Sequence, residues 1–157
     1  MNQAIIAGSE IRANSKKLVL HSDRGCQYTS YAFRRVEETT FSEELFAWGL
    51  DNMLADPNHV LLAAVIHGEV IGFLHLRMEF QLHHCAEVGE IMELIVSSSA
   101  RSQGVGKSLL DAAKMCVSEM HCTQIEVTSN RKRTNAHRFY QREQLEMTHV
   151  KLTKPLT

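Results

Sequence analysis

With 157 residues, 44% hydrophobic and 22% charged, the chain has material for one domain with a real core and too little for two. A formal net charge of −1 argues against nucleic-acid or membrane-surface binding through bulk charge. Four cysteines (Cys26, Cys85, Cys116, Cys122) without a C-x-x-C pair point to reduced thiols, not a disulfide frame or a zinc knuckle. The start, MNQAIIAGSEIRANSKK, lacks the basic-then-apolar order of a signal peptide. His67-Gly68-Glu69 interrupts the longest apolar run, so a cytoplasmic protein that spans no bilayer is expected.

Residues 1–15 are polar and read as a loose arm ahead of a single domain over 16–157. KKLVLH (16–21) has the pattern of a short strand. Residues 31–38 and 41–54 have helical composition, the second with Phe41, Leu45 and Trp48 on neighbouring turns. Asp56-Pro57-Asn58 stops that helix, because proline pushes its predecessor out of the α region. A hairpin follows: VLLAAVI, a turn at His67-Gly68, then VIGFLHLRMEF. QLHHCAE is a second turn, leading into the strand VGEIMELIV. Val105, Leu109, Ala113, Cys116 and Met120 then recur at helical spacing. TQIEVTS is a strand, TNAHRFYQRE a helix with Thr134 as N-cap, and LEMTHVKL a closing strand. The order β, α, α, β, β, β, α, β, α, β describes a mixed α/β sheet covered by helices.

RSQGVGKS (101–108) admits two phosphate-binding readings. A nucleotide P-loop needs Gly-x-x-x-x-Gly-Lys-Ser/Thr, but its first glycine would fall at 101, which is Arg. The other reading is Arg/Gln-x-x-Gly-x-Gly, which grips a pyrophosphate. It sits after a strand and opens a helix, whose unpaired N–H groups and dipole favour an anion. Gly104 and Gly106 clear side chains from the approach, and Arg101 and Lys107 add positive charge. The plain alternative is a glycine-containing turn before an ordinary helix.

IMELIVSSSARSQGVGKSLLDAA, followed by IEVTSN and NAHRFYQREQLE, resembles the GNAT family of N-acetyltransferases over roughly 41–156. The resemblance implies a bent, mainly antiparallel sheet, splayed between its fourth and fifth strands, with acetyl-CoA in the gap. Within the family, DPNHVLLAAVIHGEVIGFLHLRMEFQLHHCAEVGEIMELIV and AHRFYQREQLEMTHVKLTKPL are similar to the aminoalkylphosphonate N-acetyltransferases. One departure is Gln144, where the family usually ends the helix with Gly. The implied cofactor residues are Leu94, Ile95, Val96, Arg101, Gln103, Gly104, Val105, Gly106, Lys107, Ser108 and Asn130. A homodimer is also expected, since the chain ends soon after its last strand and relatives cover such an edge by pairing.

Acetyl transfer to an amine requires a base, an oxyanion donor and an acid for the departing thiolate. Glu90, on the fourth strand, resembles in position the general-base glutamate of the family's histone-acetylating members, and a carboxylate on a half-apolar strand is suited to accept a proton. Glu93 is the alternative, but three residues along a regular strand places it on the opposite face. Tyr140 aligns with the tyrosine that protonates the coenzyme thiolate, unless Phe139-Tyr140 only caps the core. A main-chain N–H near Leu94 to Val96, where the strand is expected to bulge, would serve the oxyanion. The phosphonate acetyltransferases suggest a divalent metal, but adjacent His83 and His84 point to opposite faces unless the segment turns, and no His-x-His spacing supports a site. No protein-held metal is therefore expected, while a divalent metal bridging a phosphonate substrate stays open.

HSDRGCQYTS (21–30) resembles the core of insertion-element transposases, but the other acidic residues that activity needs are missing. Residues 16–40 are therefore read as foreign sequence supplying a first strand and helix. The expected function is acetyl-CoA-dependent acetylation of a small primary amine by direct transfer, with an aminoalkylphosphonate as one acceptor. Arg77, His84 and Arg133 suit a phosphonate, whereas Glu43, Glu44 and Asp51 suit an aminoglycoside or polyamine. A non-catalytic acyl-CoA-binding module is the alternative from another class.

Overall fold

The computed structural model describes residues 11–13, 16–18, 42–67 and 69–156. β1 (Ile11–Ala13) and β2 (Lys16–Leu18) form a small antiparallel sheet, with Ile11 opposite Leu18 and Ala13 opposite Lys16. Residues 11–13, assigned to the loose arm from sequence, are therefore a strand. The transposase-like stretch 21–30 and the helix expected over 31–38 lie outside the described residues.

Helix α1 (Glu43–Ala55) begins at Ser42, whose hydroxyl accepts the Leu45 N–H at 3.3 Å. Glu43 and Glu44 occupy its first turn, where the helix dipole favours negative charge. Asp56 ends it in an extended conformation, as the following proline requires. Leu45 and Trp48, which recur on neighbouring turns, are each 68% exposed. Composition marked the helix, but only packing decides which stripe is covered.

The main sheet has the order β3-β4-β5-β6, formed by His59–Ile66, Glu69–Gln81, Ala86–Val96 and Gln124–Val127. β3, β4 and β5 pair antiparallel, whereas β5 and β6 are parallel and therefore need a crossover. Helix α2 (Val105–Glu119) supplies it, burying Val105, Leu109, Leu110, Ala112, Ala113 and Val117. Leu62, Leu74, Leu76 and Ile91 complete this core, each fully buried. Each such side chain contributes roughly 1.5–3 kcal/mol through removal from water. The helix sits low on the sheet because Gly72 and Gly89 have no side chains there. A Cβ on Gly72 would stand 2.9 Å from Val105 Cγ1, and one on Gly89 2.9 Å from Val117 Cγ2.

One irregularity sets which side chains share a face. Between β4 and β5, His75 stands opposite Glu93 but Leu76 stands opposite Ile91, so Met92 is an extra residue on β5. Arg77 stands opposite Glu90. His75 and Arg77 are two residues apart on β4 and share a face, so Glu93 and Glu90 share that face as well. Regular alternation predicts opposite faces; the bulge at Met92 reverses this. It also lies two residues earlier than the Leu94–Val96 stretch where a bulge was expected from sequence.

Helix α3 (Thr134–Arg142) starts one residue earlier in its cap than expected: Arg133 is the N-cap, with no side-chain capping bond, and Thr134 is the first helical residue. An Asn130 turn leads in instead, its Oδ1 accepting from Lys132 N at 2.9 Å and its carbonyl from Arg133 N at 2.9 Å. At the other end Gln144 adopts the left-handed conformation, φ 68°, while Leu145 N bonds to Tyr140 O at 2.9 Å. The helix thus keeps the termination geometry that glycine normally serves, with a side chain strained into it. Gln144→Gly is expected to stabilise the fold by about 1 kcal/mol, read as a higher urea midpoint at unchanged slope.

The closing strand expected over 145–152 is not formed; the segment carries no strand pairing, and Met147, Val150 and Leu152 are 72–90% exposed. Alternating side chains make a strand only where an edge accepts the backbone. No helix among the described residues is long and apolar enough to cross a membrane.

Candidate active site

β5 and β6 stay together only from Val88↔Gln124 to Ile91↔Val127, while β5 runs on to Val96. Beyond Ile91 the edge of β5 that faced β6 is released, which is the splay expected between the fourth and fifth strands. Leu94, Ile95 and Val96 lie in that released stretch, held on their other side by Leu74, Phe73 and Gly72.

The chain then turns through a short 3₁₀ segment (Ser98–Ala100) into the loop Arg101–Gly104. Two residues there are left-handed, Ser102 at φ 59° and Gly104 at φ 83°. Only Gly104 meets that demand without strain, and nothing lies within 4 Å of where its Cβ would be. The loop is braced by Arg101 Nε donating to Val96 O at 3.3 Å and Gln103 Nε2 to Ser99 O at 2.8 Å. The first helical bond is Ser108 N to Gly104 O, so the N–H groups of Val105, Gly106 and Lys107 have no intrahelical acceptor. These are the donors a diphosphate requires.

Two sequence expectations change here. Lys107 does not reach into the loop as a free cation: its ammonium lies 3.1 Å from Asp111 and 3.1 Å from Glu143. The Glu143 hydrogen bond, then that to Asp111, pushes its pKa above the usual lysine value. Lys114 adds a bond to the Glu143 carbonyl at 3.2 Å, so the two lysines fasten the end of α3 to α2. Gly106, in turn, faces protein: a Cβ there would touch Phe139 and Val96 at 3.5–3.7 Å, an ordinary contact. The start of α2, the end of β5 and α3 therefore converge at one point.

α3 brings Tyr140 to this junction, with its ring edge-on to Phe139, centroids 5.2 Å apart. Burial raises the phenol pKa and the nearby Arg133 charge opposes this to a lesser degree. The group is therefore neutral, with its proton in place, throughout the neutral range. Asn130, whose side chain closes the turn before α3, is exposed beside the same opening.

The face defined by the bulge carries two carboxylates in different settings. Glu90 is tied at both oxygens: Oε2 accepts from Arg77 at 3.1 Å and Oε1 from Thr128 at 3.2 Å. Arg77 also pairs with Glu79 at 3.1 Å, so its charge is committed to two acids. Glu93 is bonded through Oε2 alone, to His75 Nδ1 at 2.6 Å, and is 36% exposed. Sequence reasoning passed over His75 and His59, because their alignment with Glu93 depends on strand register.

His83 and His84 do come together, rings 4.1 Å apart, because residues 82–85 turn. Among the described residues, however, no group of three or more His, Cys, Asp or Glu side chains is placed to hold a metal ion. The donor set present does not fit one.

Comparison with known proteins agrees with this layout. Residues 20–144 match the model of the acetyltransferase (GNAT) family. The aminoalkylphosphonate N-acetyltransferase of Salmonella typhimurium is 39% identical over 113 residues, 72% of this chain and 73% of that protein. In fold, a transcriptional regulator from Bacillus halodurans superposes with a TM-score of 0.80 at 19% identity, covering 88% of this chain and 99% of that one. An aminoglycoside N-acetyltransferase solved with CoA superposes at 0.75 with 16% identity, covering 83% and 87% respectively. The splayed strands, the glycine loop at a helix start and these matches together identify the chain as a member of the GNAT family, an acetyl-CoA-using N-acetyltransferase.

Proposed function

We propose that the chain transfers the acetyl group of acetyl-CoA directly to a small primary amine in a ternary complex, with an aminoalkylphosphonate as the leading acceptor. The observation that carries this reading is Glu93, open at one oxygen on a face shared with Glu90, beside the released stretch of β5. The diphosphate is held by main-chain N–H groups of Val105, Gly106 and Lys107, with Arg101 and Gln103 bracing the loop. Gly104 and Ser108 frame that helix start, and Asn130 borders the opening. The thioester arm runs along Leu94, Ile95 and Val96, where a main-chain N–H on the released edge meets the oxyanion.

The chemistry then balances with the groups present. Glu93 Oε1 takes one proton from the bound ammonium, and the freed nitrogen lone pair attacks the thioester carbon. The tetrahedral intermediate collapses, the C–S bond breaks, and Tyr140 gives its proton to the thiolate. The nitrogen's second proton restores the Tyr140 phenol and the part-exposed Glu93 releases the first to solvent, leaving an amide and free coenzyme A. Holding both reactants in place supplies much of the acceleration.

The 39% identical Salmonella relative supports a phosphonate acceptor. A cationic acceptor, such as a polyamine or an aminoglycoside, is the second reading, because Glu79 and Glu90 already neutralise Arg77. Release of free thiol from acetyl-CoA with 2-aminoethylphosphonate, spermidine or kanamycin decides between them. The highest kcat/KM is expected with 2-aminoethylphosphonate. Preference for spermidine or kanamycin would transfer the assignment, and turnover of none would end it.

A further inference from the structure

Behind Glu93 lies a chain of side chains with no role in the scheme above. His75 is 3% exposed, and both of its ring nitrogens are engaged. Nδ1 meets Glu93 Oε2 at 2.6 Å, and Nε2 meets His59 Nδ1 at 2.7 Å. The His59 and His75 rings are 23° from parallel with centroids 5.0 Å apart, the arrangement of two imidazoles joined edge to edge. His59 Nε2 points toward Asp56, 3.8 Å away at the C-cap of α1, and the His59 side chain is 18% exposed. The line Glu93–His75–His59 thus runs from the catalytic face, through the sheet surface, to solvent.

We propose that Glu93, His75 and His59 form one proton-exchange unit, in which His75 passes a proton between the surface ring of His59 and Glu93 and so determines whether Glu93 is available as a base. This rests on the reading of Glu93 as the proton acceptor. His75 and His59 are positioning residues that act through it.

The distances restrict the protons. With Glu93 ionised, a 2.6 Å contact requires His75 to carry hydrogen on Nδ1, which leaves Nε2 as an acceptor. His59 must then donate from Nδ1, with its lone pair on Nε2 at the surface. The three groups together carry a charge of −1. When a proton arrives at His59 Nε2, the Nδ1 hydrogen of His59 moves to His75 Nε2, and the Nδ1 hydrogen of His75 moves to Glu93 Oε2. One proton has entered and none has left; the unit is neutral, every contact is still a hydrogen bond, and Glu93 is a carboxylic acid. Reversal returns the proton to water. Both states satisfy the buried His75, so exchange leaves no buried polar atom unpaired.

The charged groups around His59 come from three elements: Asp56 from α1, His75 and Arg77 from β4, and Glu93 from β5. Burial first, then His75, lowers its pKa from the usual histidine value, and Arg77 acts in the same direction against Asp56 and Glu93. His59 is therefore uncharged at neutral pH, which is the proton-poor state of the unit. It is lost as pH falls through the lowered His59 value, which places an acid limb on the rate.

The test combines a structural and a kinetic readout. Long-range ¹H–¹⁵N spectra of the full chain at neutral pH are expected to show Nδ1–H on both His75 and His59, with the His75 proton shifted strongly downfield. That shift should collapse in Glu93→Gln. His59→Gln keeps a donor to His75 but carries no exchangeable ring proton; it is expected to lower kcat roughly tenfold and move the acid limb of kcat/KM by about one pH unit. His75→Asn keeps the Nδ1-like donor to Glu93 and should uncouple the acid limb from any change at His59. An Nε2–H tautomer of His75, or an acid limb identical in wild type, His59→Gln and His75→Asn, overturns the proposal. A Glu93→Gln variant with undiminished kcat instead removes the assignment of Glu93 itself, whatever the tautomers.

Discussion

Glu93→Gln is expected to lower kcat about 10²–10⁴-fold, while Glu90→Gln lowers it less than about tenfold. The contrast follows from what each carboxylate already holds. Glu90 has a guanidinium on Oε2 and a hydroxyl on Oε1. Glu93 has one imidazole on Oε2 and a second oxygen open at 36% side-chain exposure. A glutamine at 93 still accepts the His75 Nδ1–H through its amide oxygen, so the contact and the bulge survive while the base is lost. Steady-state kinetics on both variants at saturating acetyl-CoA makes the comparison. The reverse ranking, a large loss at 90 and a small one at 93, would return the base to Glu90.

Tyr140→Phe is expected to cost roughly ten- to ten-thousand-fold in kcat, with acetyl-CoA affinity held within about threefold. The ring keeps its edge contact with Phe139, so α3 stays against α2 through Lys107, Lys114 and Glu143. Only the phenol proposed as the acid for the thiolate is removed. Burial pushes this phenol above the usual tyrosine value, so the donating form persists through the neutral and mildly basic range. Wild-type kcat should therefore show no basic limb between about pH 7 and 9 attributable to a tyrosine of ordinary pKa near 10 or lower. Calorimetry with acetyl-CoA separates lost chemistry from lost binding. A variant with full kcat would leave Phe139-Tyr140 as packing alone.

The glycine loop at the start of α2 was legible because its requirements are local. Gly104 must be left-handed at the start of a helix, the following amides lack intrahelical partners, and both facts follow from residues adjacent in the chain. The apolar repeat of α2 and the hairpin of β3 and β4 were legible for the same reason: periods of 3.6 and 2 are written in contiguous residues. Which side of α1 is covered was not, since Leu45 and Trp48 repeat at helical spacing yet are exposed. The closing strand over 145–152 likewise had the pattern but no pairing.

Lys107 and Glu93 show the same limit at the site. Motif position alone made the Lys107 side chain a positive charge for the loop, yet Glu143, 36 residues away in sequence, holds its ammonium. Alternation alone put Glu93 on the wrong face, because one extra residue at Met92 is invisible until β4 and β5 are laid side by side. By itself, then, the chain's order of residues determined α2, the β3–β4 hairpin, the helix-start loop and the family, all of which depend on neighbours along the backbone. The tertiary structure alone decided which carboxylate stands open, and which histidines stand behind it. Strand register is a relation between His75 and Glu93, 18 residues apart, and no local period encodes it.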